Sequence, residues 1–279
     1  MVPVFDADEV LAAVAPAEAN ERVRDAFERH ARGEWEMPAK VYVDAGPEAV
    51  ERTGVPGDFR AMPARGAGLA TLKWVTSFPG NSAHGLPVVT GALLVSSAAT
   101  GELVAILECA SVTSLRTGAA AAVSARALAP AGARTVGVIG CGVNGVFAAR
   151  ALAAAGYGPG VCFDLRAGSA EALAAELDWS TGERADAASQ DVVVTVTPGD
   201  EPVIRADDLR PGQHLAVLGA DAHGKAEVEP AALARCRLFC DEWRQASSGG
   251  ELSAAAASGE IAAGDVTEIG PVLLGEAQG

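Results

Sequence analysis

Residues 135–145 read Thr-Val-Gly-Val-Ile-Gly-Cys-Gly-Val-Asn-Gly, and this stretch decides the fold. Its apolar first half predicts a buried strand, which leads directly into a Gly-x-Gly-x-x-Gly loop. The Ala-rich residues 146–155 that follow favour a helix. A strand, a tight glycine turn and a helix N-terminus together form a dinucleotide site. The exposed N–H groups and the dipole of the helix attract pyrophosphate there.

Each glycine of this loop has its own physical reason. Gly140 permits the tight turn, Gly142 lets the pyrophosphate approach the backbone, and Gly145 lets the helix pack close to the strand. We expect the first residues of the helix, Val143 and Asn144, to contact the cofactor as well.

A second apolar run, residues 160–163, ends in Asp164. An acid at this distance from the glycine loop hydrogen-bonds the ribose 2′-hydroxyl and repels a 2′-phosphate, so it favours NAD over NADP. The alternative without a binding function is an ordinary glycine-rich loop followed by a solvated aspartate. The agreement of strand, loop, helix and acid favours the dinucleotide site.

Strands and helices alternate from residue 134 onward, which predicts a parallel, doubly wound sheet of the Rossmann type. The predicted strands are 135–139, 160–163, 191–196, 214–218 and 237–240, and the predicted helices are 143–155 and 169–176. The preceding part of the chain predicts an α+β block, with a helix over 8–32, strands at 39–44, 69–77, 87–96 and 103–108, and a bridging helix over 113–129.

The fold class is therefore α/β, a Rossmann-type NAD-binding domain together with an α+β domain for substrate binding and dimerisation. We place the first domain at residues 1–117 and the Rossmann domain at 118–268, which suits the length of 279 residues. Residues 269–279 are a candidate for packing back on the first domain.

Composition narrows the classes of partner. The formal net charge of −15 argues against nucleic acid and anionic membrane surfaces, because both need a basic face. No apolar run is long enough to span a bilayer. The five cysteines lack a zinc-like pair and suggest reduced thiols in a cytoplasm, and the four histidines lack the spacing of metal ligands. We therefore predict no metal site.

Further motifs occur in a fixed order along the chain. They are Lys73-Trp74-Val75, Pro79-Gly80-Asn81, Gly85-Leu86-Pro87, Thr100-Gly101-Glu102-Leu103, Thr113-Ser114-Leu115-Arg116-Thr117-Gly118-Ala119-Ala120 and the run from Gly219 to Glu227. With the glycine loop, this set resembles the ornithine cyclodeaminase/mu-crystallin family. The resemblance implies a homodimer whose substrate and dimerisation domain precedes a Rossmann domain that binds NAD or NADP.

Two segments are similar to the alanine dehydrogenase branch of that family, namely Pro38-Ala39-Lys40-Val41-Tyr42 and Gly57-Asp58-Phe59-Arg60-Ala61-Met62-Pro63. Ornithine cyclodeaminases usually carry Arg in place of Lys40 and an acid in place of Arg60. An arginine cannot hold the distal ammonium group of ornithine, because like charges repel in a confined site. The resemblance therefore implies a small or non-cationic substrate side chain.

The resemblance also implies roles for single residues. The substrate carboxylate would meet cations, and Lys73 and Asp221 would be catalytic, Asp221 as the general acid/base. The implied substrate-binding residues are Lys40, Arg60, Lys73 and Arg116, and the implied further cofactor contacts are Thr117, Asn81, Thr197 and Pro198. The bland alternatives are solvated lysines and a loop-capping aspartate.

These features predict an NAD-dependent dehydrogenase that converts L-alanine to pyruvate and ammonia, reversibly. Three alternatives stay open: an ornithine cyclodeaminase that releases no net NADH, a reductase of ketimines or pyrroline carboxylate, and a non-catalytic binding protein like mu-crystallin. Net NADH formation with alanine separates the alanine dehydrogenase from these three alternatives.

Overall fold

The structure is a computed structural model that describes residues 1–198, 201–220 and 224–279. It divides into two compact units. Unit 1 comprises Met1–Ala15 and Arg29–Thr113, and unit 2 comprises Pro16–Glu28 and Ser114–Gly279. In chain order, the elements up to the division between the units are β1 (Val4–Phe5), α1 (Ala7–Ala13), α2 (Pro16–Ala31), β2 (Val41–Asp44), α3 (Pro47–Thr53), β3 (Asp58–Gly66), β4 (Leu69–Ser77), β5 (Val89–Ser97), β6 (Leu103–Glu108) and α4 (Cys109–Leu128).

Unit 1 is built on a sheet with the strand order β1-β6-β5-β4-β3-β2. All pairs in it are antiparallel except β1 with β6. Strands β3 and β4 form a long hairpin that closes on Ala67 and Gly68, whose φ angles of 51° and 78° give the left-handed turn that suits the twist of a hairpin. This turn sets the register, which pairs Met62 with Lys73.

The structure corrects the N-terminal prediction in two ways. The expected helix over 8–32 is two helices, because Val14 is extended and Pro16, which disfavours a helical residue before it, starts α2. The sequence pattern also does not indicate α3 and β3. Pro63 interrupts the β-pattern of β3, yet the hairpin partner accommodates it opposite Leu72.

Unit 2 continues with β7 (Val136–Ile139), α5 (Val143–Ala154), β8 (Gly160–Phe163), α6 (Ala167–Leu177), β9 (Ser180–Thr181), α7 (Arg184–Ala188), β10 (Val192–Thr195), β11 (His214–Val217), α8 (Pro230–Leu233), β12 (Leu238–Cys240), α9 (Trp243–Gly249), α10 (Ser253–Ser258), β13 (Val266–Glu268) and α11 (Ile269–Leu273). Its main sheet is parallel, with the order β9-β8-β7-β10-β11. Strands β12 and β13 form a separate parallel pair.

Both faces of the main sheet are covered, as a doubly wound sheet requires. Val192 and Val194 belong to one buried cluster, with alanines of α4, whereas Val193 between them belongs to a second cluster, with Ala187 and Ala188 of α7. The strand order and this packing confirm the predicted Rossmann-type fold. None of the described helices is long and apolar enough to cross a membrane.

The division of the chain differs from the predicted domains in two segments. Residues 16–28 belong to unit 2, where Asn20 donates from Nδ2 to the carbonyl of Ala151 at 2.9 Å. Residues 269–279 belong to unit 2 as well, where Arg237 donates to the carbonyl of Gly279 at 3.0 Å. The division itself falls between Thr113 and Ser114 within α4, close to the expected boundary at residue 117.

The buried His214 makes the stability of unit 2 depend on pH. Burial lowers the pKa of His214, at the start of β11, from 6.5 to about 4, and its Nε2 lies 3.1 Å from Ser124 Oγ. Between pH 4 and pH 6.5, the unfolded chain therefore binds a proton on this histidine, whereas the folded chain does not. Stability from this group is complete above pH 6.5 and falls by about 3 kcal/mol as the pH drops to 4.

We predict that the His214→Gln variant loses less stability than the wild type between pH 7 and pH 5, measured by urea unfolding at both values. The exposed His84 supplies the matched control, because His84→Gln should leave the acid sensitivity unchanged. Equal acid sensitivity in all three proteins would contradict the prediction.

Candidate dinucleotide site and cation face

The glycine loop lies between β7 and α5 and has the shape of a phosphate cradle. Gly140 has a φ of +98°, in the left-handed region that favours glycine. A Cβ at Gly145 would lie 1.9 Å from the Gly140 carbonyl oxygen, so only glycine fits there. At Gly142 the nearest heavy atom to such a Cβ is 3.9 Å away, on Arg166. The backbone is therefore open at Gly142, where α5 begins, and an anion can approach the helix N-terminus.

Asp164 lies where the sequence predicts it, at the end of β8 and against the glycine loop. Its carboxylate accepts the N–H of Cys141 at 2.8 Å and the N–H of Arg166 at 2.8 Å. These bonds tie the loop to the turn after β8. A carboxylate has about four acceptor positions, so these two bonds are compatible with a third, to a ribose hydroxyl.

The sequence pattern does not indicate a role for Arg166 and Cys141, two neighbours of Asp164. The Arg166 side chain is 73% exposed, and its Nε lies 3.4 Å from Asp164 Oδ1. Arginine at this edge is the residue type that accommodates a 2′-phosphate in this fold. Cys141 lies inside the loop, and its hydrogen bond with Cys162, together with burial, raises the pKa of its thiol far above the usual range, which keeps it protonated.

In unit 1, three predicted cations share one face of the sheet. The pairing of Tyr42 with Arg60 and of Met62 with Lys73 places these side chains on the same side, because successive residues of a strand alternate between faces. The Nζ of Lys40 and the guanidinium carbon of Arg60 each lie 5.5 Å from the centre of the Tyr42 ring. The tyrosine ring therefore contacts both cations by cation–π attraction. We call Lys40, Arg60 and Lys73 the cation face.

The members of the cation face differ in their partners. Arg60 is mostly buried and binds the Asp58 carboxylate with two bonds, from Nε at 2.5 Å and from Nη2 at 3.0 Å. Lys73 donates from Nζ to the Thr113 hydroxyl at 3.3 Å, at the start of α4. The Arg60 charge is therefore balanced by Asp58.

Helix α4 carries Arg116 and Thr117, three and four residues after Thr113 and hence on the same helix face. Arg116 is exposed. Thr117 is 5% exposed, and its hydroxyl is buried without a hydrogen-bond partner among the described residues. Since buried polar groups normally have partners, this hydroxyl fits the predicted contact with a bound cofactor.

The remaining predicted residues lie in loops. Asn81 lies in a 3-10 turn of unit 1, where its Nδ2 donates to the carbonyl of Pro87 at 2.9 Å and holds that turn. Thr197 and Pro198 follow β10, at the carboxyl edge of the Rossmann sheet. Asp221, the predicted acid/base, lies outside the described residues.

The structure places Glu227, the last residue of the motif from Gly219 to Glu227, in the interior of unit 2. Its carboxylate is fully buried and accepts bonds from Thr195, Thr197 and Gly219. No short-range pattern signals this burial, because the donors lie in other segments of the chain.

The fold and the glycine loop define a Rossmann-type dinucleotide-binding protein with an additional α+β unit. The family model described as the ornithine cyclodeaminase/mu-crystallin family matches residues 4–279, and the chain belongs to this family. The resemblance found in the motifs is thereby confirmed.

Several known proteins are similar to this chain over most of its length. The alanine dehydrogenase of Archaeoglobus fulgidus is 35% identical over 279 residues, 98% of this chain and 84% of the relative. The solved structure of an archaeal alanine dehydrogenase dimer with bound NAD has a TM-score of 0.92 at 34% identity, covering 100% of this chain and 86% of the other. The iminosuccinate reductase of Paracoccus denitrificans, solved with NAD⁺, has a TM-score of 0.89 at 28% identity and covers 100% and 87%.

The open backbone at Gly142 supplies a test of the cradle. A Gly142→Ala variant places a methyl group where the phosphate would lie, although the φ of −74° accepts alanine without strain. We expect the affinity for NADH to fall by about tenfold or more while the thermal midpoint moves by at most about 4 °C.

NADH fluorescence titration and thermal unfolding measure the two quantities. Gly168→Ala is the control, because Gly168 lies in α6 with no heavy atom within 4 Å of its added Cβ, and it should leave NADH binding unchanged. Unchanged affinity in the Gly142→Ala variant would show that the cradle does not hold the cofactor.

Proposed function

We propose that this protein is an NAD-dependent oxidoreductase acting on the CH–NH2 group of a small amino acid, and specifically that it converts L-alanine to pyruvate and ammonia, reversibly. The observation that carries the proposal is the similarity to the Archaeoglobus fulgidus alanine dehydrogenase over 98% of this chain. The glycine loop and the cation face support it independently, because they supply the two kinds of binding group that the reaction needs.

The residues of the loop fit NAD. Gly140, Gly142 and Gly145 with the N-terminus of α5 would hold the pyrophosphate, with Val143 and Asn144 as the first helical contacts. Asp164 would hold the ribose of the adenosine half, and Thr117, Asn81, Thr197 and Pro198 are the further proposed contacts. When bound, NAD supplies a hydride acceptor, and its reduced form returns the hydride.

The cations would bind the carboxylate of the substrate. Arg116 can grip a carboxylate with two parallel bonds, while Lys40 and Lys73 act as point charges. Lys73 also has a proposed catalytic role. When ammonia attacks the carbonyl carbon of the 2-oxo acid, negative charge develops on the carbonyl oxygen, and a positive charge beside this oxygen would stabilise it.

The pairing of Arg60 with Asp58 favours a small substrate side chain. A cyclodeaminase needs an acid for the distal ammonium group of its substrate, and here the Asp58 carboxylate is bound by the guanidinium with two bonds. Arg60 itself would repel a second ammonium group. This arrangement therefore supports alanine over ornithine.

Asp221 is the proposed general acid/base. It would activate the water that attacks the iminium carbon of the oxidised amino acid, and it would pass a proton to the leaving amine. Its place in the sequence, just after β11, suits a residue at the carboxyl edge of the sheet, where ligands bind in open α/β sheets.

A homodimer in the cytoplasm is the proposed physical state. The five cysteines are free thiols, as expected for a reducing compartment. The sheet face opposite the cation face exposes apolar side chains, including Val41 at 58% and Val43 at 49%. Exposed neighbouring apolar residues mark interaction surfaces, and a second copy of the chain is the proposed partner.

The reaction is tested by the absorbance of NADH with purified protein, NAD⁺ and L-alanine, beside a parallel run with L-ornithine scored for NADH and ammonia. We expect net NADH with alanine. Asp221→Asn should lower kcat by about a hundredfold or more while the affinity for NADH stays within about twofold. The exposed Asp207 gives the control, since Asp207→Asn should keep full turnover.

Each other result has a definite meaning. Ammonia from ornithine without net NADH would replace the dehydrogenase with a cyclodeaminase. Binding of NADH without turnover of any amino or imino acid would indicate a binding protein. Full turnover by Asp221→Asn would refute the proposed acid/base.

The proposed dimer surface is tested by charge insertion. Replacing both Val41 and Val43 with lysine places two charges on the exposed apolar face, so we expect the molar mass from light scattering to fall to that of a monomer. Val50→Lys, at an equally exposed site on α3, should leave the dimer intact. A double variant that stays dimeric would place the interface elsewhere.

A further inference from the structure

Glu227 combines complete burial with an unusually full set of hydrogen bonds. It is 0% exposed, and each carboxylate oxygen accepts two bonds. One oxygen accepts from the Thr197 N–H at 2.6 Å and the Thr197 hydroxyl at 2.8 Å. The other accepts from the Thr195 hydroxyl at 2.9 Å and the Gly219 N–H at 2.6 Å. Four donors offset the desolvation of a buried charge.

The main chain of Glu227 is held as firmly as its side chain. Its carbonyl accepts from the N–H groups of Val203 at 2.7 Å and Ile204 at 2.9 Å. Its own N–H donates to the Glu251 carboxylate, which also accepts from Val228. Glu227 therefore fixes the segments around it through every polar group it has.

These segments are the ends of two loops at the carboxyl edge of the Rossmann sheet. Thr195 and Thr197 lead out of β10, and Val203 and Ile204 end the loop that follows it. Gly219 begins the loop after β11, and Glu227 itself ends that loop. The hydrogen bonds of Glu227 therefore join the ends of both loops.

The donors around Glu227 require an acceptor at both side-chain oxygen positions. Each oxygen faces a main-chain N–H, of Thr197 or of Gly219, and a main-chain N–H cannot reverse its direction. A glutamine amide would place its NH2 group, which has no acceptor, against one of these N–H groups. Gly219 itself has no room for a side chain, since a Cβ there would lie 2.6 Å from Glu227 Oε1.

We infer that Glu227 is a positioning residue for the nicotinamide half of the bound dinucleotide, acting through the two loops that follow β10 and β11. In a doubly wound sheet, each half of the sheet serves one half of the dinucleotide. The adenosine half belongs to the glycine loop and Asp164, so the other half belongs to the edge that Glu227 closes. The inference rests on the proposed function, because the second loop also carries Asp221.

The experiment compares Glu227→Gln with the wild type in two binding measurements, NADH and ADP, each by calorimetric titration. ADP keeps the adenosine half and the pyrophosphate, and it lacks the nicotinamide ring and the ribose attached to that ring. We expect the affinity for NADH to fall by about tenfold or more and that for ADP to change by at most about twofold, because one main-chain N–H loses its acceptor. With alanine and NAD⁺, kcat should fall more than KM rises.

Glu229→Gln is the matched control. The Glu229 carboxylate also accepts a main-chain N–H, from Ala206 at 3.0 Å, but away from the ends of β10 and β11. This variant should keep the wild-type ratio of the two affinities. Equal losses of NADH and ADP binding in Glu227→Gln, or no loss of either, would overturn the inference, because a purely structural role does not distinguish the two halves.

A second variant tests the inference about Glu227 even if Glu227→Gln fails to fold. Thr195→Val preserves shape at a fully buried site and removes one donor while the carboxylate stays. It should change the affinity ratio in the same direction, by about threefold, and an unchanged ratio would overturn the inference. Both affinities are measured without turnover, so a wild-type protein that binds NADH but converts no amino acid would refute the proposed function alone.

Discussion

The absence of a side chain at Gly145 is the constraint on which the rest of unit 2 depends. The Gly140 carbonyl oxygen occupies the place that a methyl group would need, so α5 starts directly over the end of β7. Gly118 does the same for α4, since a Cβ there would lie 2.4 Å from the Phe147 carbonyl oxygen on α5. The close packing of strand and helices explains why alanine and valine dominate this core. It also brings the N-terminus of α5 to the open backbone at Gly142.

Carboxylates organise the loops around this core. Asp164 and Glu227 each bind main-chain N–H groups at the carboxyl edge of the sheet. At the opposite edge, Asp191 accepts from Arg134 and Thr135, and these bonds lower the pKa of its carboxyl. Part of the excess of acidic residues therefore serves as acceptors for loop backbone. Such bonds are stronger than neutral ones and hold loops that lack regular structure of their own.

Local patterns predicted many of the elements closely. Strands β4, β6 and β8 have the expected bounds, and β7 and α5 differ from them by one residue. Alternating or continuous apolar runs signal such elements because neighbouring residues decide them. The pattern failed at β3, where Pro63 obscures a strand that exists through its pairing with β4. It also merged α1 and α2, because apolar spacing continues across Pro16.

By itself, the sequence determined the Rossmann-type glycine loop, the alternation of strands and helices, the family, and the residue types that can bind a carboxylate and a dinucleotide. Only the tertiary structure decided that Asp58 balances Arg60, that residues 16–28 join unit 2, and that Glu227 is a buried acceptor for four donors. The physical reason is the separation along the chain over which each interaction acts. Periodicity and turn chemistry act between neighbours, whereas burial and hydrogen-bond partners depend on segments such as Asn20 and Ala151, which lie 131 residues apart in the chain.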